Sequence, residues 1–224
     1  SEFGRKLEEL FVSLDQKPVA AASIAQVHKA ETNEGNIVAV KVLRPNIERR
    51  FKKDISLFYF IAALSSIFPE AKRLHFSDAV KTFEKIVKNE LNLLFEAACA
   101  DKLRENCSKD KGVRIPKIYW EFTSQRVLTA EWINGIPIDD RKALEDAGFD
   151  LHEITKNLAI TFFNQAYRDG FFHADLHPGN LFVPIKMSLE FEDVFNEPSG
   201  EEFSENEPTI VLDKNKHRIN PDDE

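Results

Sequence analysis

One stretch restricts this chain more than any other: Phe172-His173-Ala174-Asp175-Leu176-His177-Pro178-Gly179-Asn180-Leu181. An apolar run, Leu158 to Phe163, leads into it through Tyr167-Arg168-Asp169-Gly170, and Leu181-Phe182-Val183 leads away. The pattern predicts a polar loop held between a helix end and a strand, and loops held in this way commonly carry chemistry. Asp175 and Asn180 are five residues apart. At that interval a phosphoryl-transfer loop sets its Asp at the attacking group and its Asn on a metal, and His173 fills the first position of H-x-D.

A second group makes a comparable demand. The segment Ile37-Val38-Ala39-Val40-Lys41-Val42-Leu43 reads as a strand, paired with His28–Thr32 across a turn at Asn33-Glu34-Gly35-Asn36. Alternation puts Ile37, Ala39, Lys41 and Leu43 on one face and Val38, Val40 and Val42 on the other. Lys41 is thus an ammonium on an otherwise apolar face, and it calls for an anion, because burying an unpaired charge is costly. Just upstream, Ala20-x-Ala22-x-x-Ala25-x-Val27 keeps the frame of the glycine-rich kinase loop, G-x-G-x-x-G-x-V, with alanine at each glycine. Alanine does not reach the positive φ angles open to glycine, so this loop is expected to be stiffer and to approach phosphates differently. An ordinary small-residue turn fits the same residues.

Composition sets the outer limits. With 224 residues, 42% of them hydrophobic and 11% aromatic, the chain has enough apolar surface for one large domain or a two-lobed one. Its first residue is Ser1, so it reads as a fragment, and the lack of a leader at this end is uninformative. Cys99 and Cys107 fit neither a disulfide framework nor a zinc knuckle, which makes a reducing compartment the expectation. Residues 184–224 carry 12 acids and 4 bases, and residues 1–183 carry 26 of each. A neutral body with an acidic tail lacks the basic footprint of a nucleic-acid binder.

In chain order, Phe3, Leu7, Leu10, Phe11 and Leu14 recur at helical spacing and predict a short amphipathic helix over Glu2–Ser13. A helix over Ile47–Phe68 follows, with Asn46 at its N-cap and no charge from Ile55 to Pro69. Fifteen uncharged residues are too few to span a bilayer. The helix is expected to be buried; the other reading lays it on a membrane or a partner through Phe58, Phe60, Ile61 and Phe68. A long helix is predicted from Ser77-Asp78 to about Asn106. On one continuous helix Glu90 and Glu96 would lie about 120° apart, so only one could face Lys41.

Strands are predicted over Ile115–Trp120 and Arg126–Trp132 around a turn at Thr123-Ser124, and Glu131–Gly135 takes the position of a kinase hinge, where a plain strand and turn fits equally. A helix over Asp150–Asp169 is expected to bury Leu151, Ile154, Leu158, Phe162, Gln165 and Ala166. Lys186–Pro208, with eight acids and one base, reads as an exposed, mobile insertion.

Together these segments resemble the UbiB-type atypical kinases, which support ubiquinone biosynthesis. Pro18-Val19-Ala20-Ala21-Ala22-Ser23-Ile24-Ala25-Gln26-Val27-His28 looks like that family's alanine-rich nucleotide loop, and His173–Asn180 looks like its catalytic loop. The resemblance covers about Leu7 to Val183 and implies an α+β, protein-kinase-like, two-lobed fold. On it, residues 1–135 are an N-lobe with inserted helices, 136–183 part of a C-lobe, and 184–224 an acidic insertion and tail.

The resemblance also implies an ATP-dependent phosphotransferase or ATPase. Ala20, Ala21, Ala22, Ser23, Val27, Lys41 and Glu131 would line the nucleotide, Glu96 would pair with Lys41, Asp175 would serve the acceptor, and Asn180 and Asp213 would hold Mg²⁺. It places the protein in the cytoplasm, peripheral at the inner membrane, with a lipid-like acceptor and ubiquinone-biosynthesis proteins as partners. There are departures. The family's E-x-D motif reads Glu90-Leu91-Asn92, its K-x-G-Q element would fall upstream of Ser1, and Lys214-Asn215 follow Asp213 where D-F-G would be expected.

Two other readings fit parts of the chain. His173, Asp175 and His177 form a ligand set for a metal-dependent hydrolase, although that leaves Lys41 and the Ala20–Val27 frame unexplained. The missing D-F-G suits a nucleotide-binding pseudokinase or scaffold, and binding without appreciable turnover is the expectation for this chain.

Overall fold

The strand-forming β-branched residues of Ile37–Leu43 sit where the alternation put them, at the centre of a sheet. The computed structural model describes residues 2–21, 23–68, 73–172, 176–185 and 210–212. Ala22, His173, Ala174, Asp175, the Lys186–Pro208 insertion and Asp213 lie outside the described residues. The chain forms two units, Ser1–Cys99 with Ile118–Thr129 and Ala100–Lys117 with Ala130–Glu224.

In the first unit, β1 (Phe11–Leu14), β2 (Ala20–Ala21), β3 (Ala25–Thr32) and β4 (Ile37–Leu43) are followed later in the chain by β5 (Val113–Arg114), a strand of the second unit, and by β6 (Val127–Glu131). The sheet order is β1-β3-β4-β6, with β2 also on β3. β3 and β4 form the predicted antiparallel hairpin, from Glu31↔Ile37 to Ala25↔Leu43. Leu10, Phe11, Ala30, Val38, Val40, Phe122 and Val127 make its core.

Four expectations are corrected in this unit. The predicted helix over Glu2–Ser13 is a 3-10 turn, Leu7–Glu9, followed by strand β1. Apolar residues at 7, 10, 11 and 14 suit either state, and pairing with the edge of β3 decides it: Phe11 stands opposite Thr32 and its ring lies 5.3 Å from that of Phe122. The charge-free helix forms as α1 (Ile47–Ser65), but Leu57, Phe58, Phe60, Ile61 and Leu64 are exposed rather than buried. Asn46 does stand at its N-cap, with φ 60° and no side-chain cap bond.

The long helix is two helices, α2 (Phe76–Glu90) and α3 (Leu93–Asn106), interrupted at Leu91-Asn92. There the Leu93 amide donates to Gln125 O rather than to the preceding turn, and Asn92 O accepts from Phe95 and Glu96 to start α3. Finally, Ile115–Trp120 is only a bridge at Ile118 rather than a full strand: the Tyr119 amide donates to Thr129 O and the Glu131 amide to Lys117 O, and the chain then runs into a 3-10 turn, Trp120–Phe122, whose Phe122 fills the core.

The second unit holds a sheet in the order β5-β9-β8-β7, where β7 is Gly135–Pro137, β8 Leu181–Pro184 and β9 Ile210–Leu212. Helices α4 (Arg141–Asp146) and α5 (Leu151–Phe163) start at Asp140 and Asp150, whose carboxylates accept from the Ala143 and His152 amides. A single π turn, Asn164–Arg168, extends α5 toward the loop. Ile154 and Gln165 are buried, and Leu151 and Leu158 pack on the core, as the apolar face predicts. Phe162 departs from that face and is exposed, while Thr161 is buried in its stead: seven residues on, Thr161 lies about 20° from Ile154 around the helix, whereas Phe162 lies about 80° away. Among the described residues, no helix is long and apolar enough to cross a membrane.

Candidate functional site

In β4, Lys41 stands opposite Val27 of β3, and it is buried. Its Nζ lies 2.7 Å from Oε1 of Glu96, with 9% and 14% of the two side chains exposed. Glu96 is in the first turn of α3, where the helix dipole favours a carboxylate. The break at Leu91-Asn92 removes the angular constraint of one continuous helix: Glu90 ends α2 and is exposed, and Glu96 begins α3 and faces the ammonium.

The alanine frame forms a tight hairpin. Ala20 pairs with Val27 and Ala21 with Gln26, the Val19 amide donates to Val27 O at 2.8 Å, and the Arg44 amide donates to Ile24 O at 2.8 Å. Ala20, Ala25 and Val27 are buried, while Ala21 and Ser23 are exposed. Among the described residues, non-glycine positive φ occurs only at Asn46 and His75, so the described alanines need no conformation that Cβ penalises. That is how the frame persists without its glycines.

Glu131 ends β6. Its carboxylate accepts from the Arg114 guanidinium and from the Lys117 amide, and its own amide donates to Lys117 O at 2.9 Å. Gly135 then opens β7 against β8, where a Cβ would lie 2.9 Å from Val183 O. This close backbone contact gives the segment after Glu131 a requirement for glycine that the sequence reading did not identify.

At the loop, His177 caps the 3-10 turn Pro178–Asn180: Nδ1 accepts from the Gly179 amide at 3.1 Å, and Asn180 N donates to His177 O at 2.8 Å. Asn180 is fully buried. β8 and β9 are antiparallel with Leu181↔Leu212 and Phe182↔Val211. Asn180 and Asp213 are therefore the chain neighbours of one paired couple, Leu181 and Leu212, although Asp213 itself lies outside the described residues. Of the hydrolase ligand set, His173 and Asp175 also lie outside them, and His177 uses one ring nitrogen in the cap.

A clamp missed by sequence reasoning secures the chain ahead of the loop. Arg168, in the π turn, donates to Asp110 Oδ2 at 2.9 Å, to Asp169 Oδ2 at 2.8 Å and to Asn106 O at 3.2 Å. Hydrogen bonds from Arg168 hold the Asp169 carboxyl below the usual carboxylate range. One turn back, Gln165 is wholly buried with Nε2 3.6 Å from the Cys107 sulfur, and burial pushes that thiol up.

A buried Lys–Glu pair on the strand beside an alanine-framed hairpin, in a chain whose sequence also holds H-x-D-x-H-P-G-N with His177 capping the turn Pro178–Asn180, is a specific combination, and comparison with known proteins identifies it. The sequence profile of the ABC1 atypical kinase-like domain matches residues 1–194. The chain belongs to that family. It is 42% identical over 187 residues to the "Probable protein kinase UbiB" of Azotobacter vinelandii, covering 83% of this chain and 35% of that protein. The protein of the same name from Marinobacter nauticus is 43% identical over 183 residues, or 81% of this chain and 34% of that one. The chain thus spans about a third of the length of these curated relatives. Among solved structures it is similar to the Rv3197–erythromycin complex from Mycobacterium tuberculosis, with a TM-score of 0.70, 26% identity, and coverage of 94% of this chain and 47% of that one. The chain is a UbiB-type atypical kinase fragment with an α+β, protein-kinase-like fold.

Proposed function

We propose that this chain binds Mg-ATP as the nucleotide-binding portion of a UbiB-type atypical kinase or ATPase. The observation that carries the reading is the buried ion pair of Lys41 and Glu96, placed on the strand next to the alanine-framed hairpin. Held by Glu96, Lys41 offers a fixed ammonium to phosphates, and the hairpin around Ala20, Ala21, Ala22, Ser23 and Val27 covers them. Adenine would bind the backbone from Glu131 to Gly135.

Asn180 and Asp213 present oxygen donors, an amide and a carboxylate, of the kind Mg²⁺ takes, and the ladder Leu181↔Leu212 supports grouping the two. Bound there, the ion would supply charge neutralisation on the phosphates. Asp175 would orient or deprotonate the acceptor, either water or a small lipid-like molecule. The division at residues 135 and 183 into N-lobe, partial C-lobe and acidic tail belongs to this proposal. So do a role in ubiquinone biosynthesis beside the proteins of that pathway, and a cytoplasmic location peripheral at the inner membrane. The absence of Phe and Gly after Asp213 favours one second reading, a nucleotide-binding pseudokinase or scaffold without turnover.

Thermal melting tests the nucleotide reading. With ligand 100-fold above its Kd, stabilisation is about 2.7 kcal/mol, or roughly 5–10 °C for a domain of this size. Lys41→Ala is expected to remove most of that shift. No movement of the transition by millimolar Mg-ATP or Mg-ADP would overturn the site.

A further inference from the structure

Helix α1 is apolar on two sides, and one of them is covered. Toward α2, Phe58 meets Phe83 with ring centroids 5.7 Å apart, Tyr59 donates to Glu84 at 2.8 Å, and Ala62 is buried. On the other side Leu57, Phe60, Ile61 and Leu64 recur at i, i+3, i+4 and i+7, and 54%, 65%, 51% and 52% of their surfaces are exposed. The turn after the helix adds Ile67 and Phe68, 69% and 60% exposed. An apolar recess of about 340 Å³ lined by Phe58, Ile61, Ala62, Ser65, Phe76 and Val80 opens beside this face.

Followed back toward the start of the helix, the same side carries Lys53 and Arg50, both exposed, with Arg49 at one margin and Asp54 at the other. One stripe therefore changes from cationic to apolar over about 15 Å from Arg50 to Phe60, at about 1.5 Å per residue. A protein-binding patch would be depleted in lysine and surrounded by a mixed polar rim. A cationic stretch running into an apolar turn matches the depth profile of an anionic bilayer, phosphates first and hydrocarbon beyond.

We propose that α1 and the turn after it dock on an anionic lipid surface, with Phe60, Leu64, Ile67 and Phe68 below the phosphates and Arg50 and Lys53 among them. This gives the membrane location within the proposed function a specific surface. It requires no spanning segment, in keeping with the charged first half of α1, Glu48 to Asp54.

The test is co-sedimentation of the chain with vesicles of phosphatidylcholine, alone or mixed with phosphatidylglycerol. Binding is expected to the mixed vesicles and to fall with added salt, with about fivefold loss for each of Arg50→Gln and Lys53→Gln. Phe60→Glu with Leu64→Glu should abolish it at an unchanged melting temperature, whereas Val12→Glu, an exposed apolar position on β1, should leave it intact. In a Phe60→Trp variant the emission should shift to the blue on vesicles. Undiminished binding by Phe60→Glu/Leu64→Glu would overturn this surface and leave the membrane location standing. No binding to either vesicle would overturn both, while the nucleotide reading, judged by melting without vesicles, would be untouched. A dimer in light scattering that Phe60→Glu dissociates, with no vesicle binding, would assign the face to a second copy of the chain and overturn the proposal.

Discussion

Lys41 is 7% exposed on a sheet strand and has one carboxylate, Glu96, at 2.7 Å. Such a pair gains little net stability over apolar residues of similar size, because both charges have lost their water, but breaking it strands one of them. Glu96→Ala is therefore expected to lower unfolding stability by about 3 kcal/mol, read from urea midpoints at constant slope. The double variant Lys41→Met/Glu96→Leu should recover most of that loss. If the double change costs the sum of the two single changes, the charges do not interact in the folded protein, and Lys41 is held by packing alone. Glu96 was legible in advance only through the motif resemblance. Periodicity placed it and Glu90 on one helix, and neither Gly nor Pro marks the break at Leu91-Asn92 that separates them.

Single elements separate what sequence can specify from what packing decides. The β3–β4 hairpin was legible because β-branched alternation and an Asn-Glu-Gly-Asn turn agree. Strand β1 was not, since four apolar residues satisfied helical spacing and the free edge of β3, far along the chain, decided the outcome. A charge-free run marks α1 as apolar without saying which side another helix will cover. The Arg168 clamp joins residues 58 apart in sequence, beyond the reach of any local pattern.

That clamp makes a pH prediction. Hydrogen bonds from Arg168 lower the Asp169 pKa in the folded state, so its contribution is present above the unfolded carboxylate pKa and is lost as pH falls through the lowered folded value. Stability measured from neutral pH down through the acid range should therefore fall less steeply in Arg168→Met than in the parent chain. Parallel acid profiles would show that the clamp does not hold Asp169 ionised.

The whole chain has a neutral body of residues 1–183 and a tail of residues 184–224 with 12 acids against 4 bases, and that tail contains Asp213, the residue after Leu212 in sequence. In the kinase pattern the Asp of D-F-G holds the metal that bridges the phosphates, Phe packs beneath the moving helix, and Gly lets the chain turn. Lys214 and Asn215 supply neither of the last two. Were Asp213 to hold a divalent cation as proposed, the lysine next to it in sequence would add a positive charge there and weaken its binding. The expected outcome is nucleotide binding without appreciable turnover. Phosphate release is to be measured with Mg-ATP for the unmodified chain, for Asp175→Asn and for Lys214→Phe/Asn215→Gly. Release should stay near the Asp175→Asn background in the unmodified chain and rise above it in the double variant. Equal, Asp175-dependent release from the unmodified and double-variant chains would show that the residues after Asp213 do not limit the chemistry, and would remove the ground for the scaffold reading.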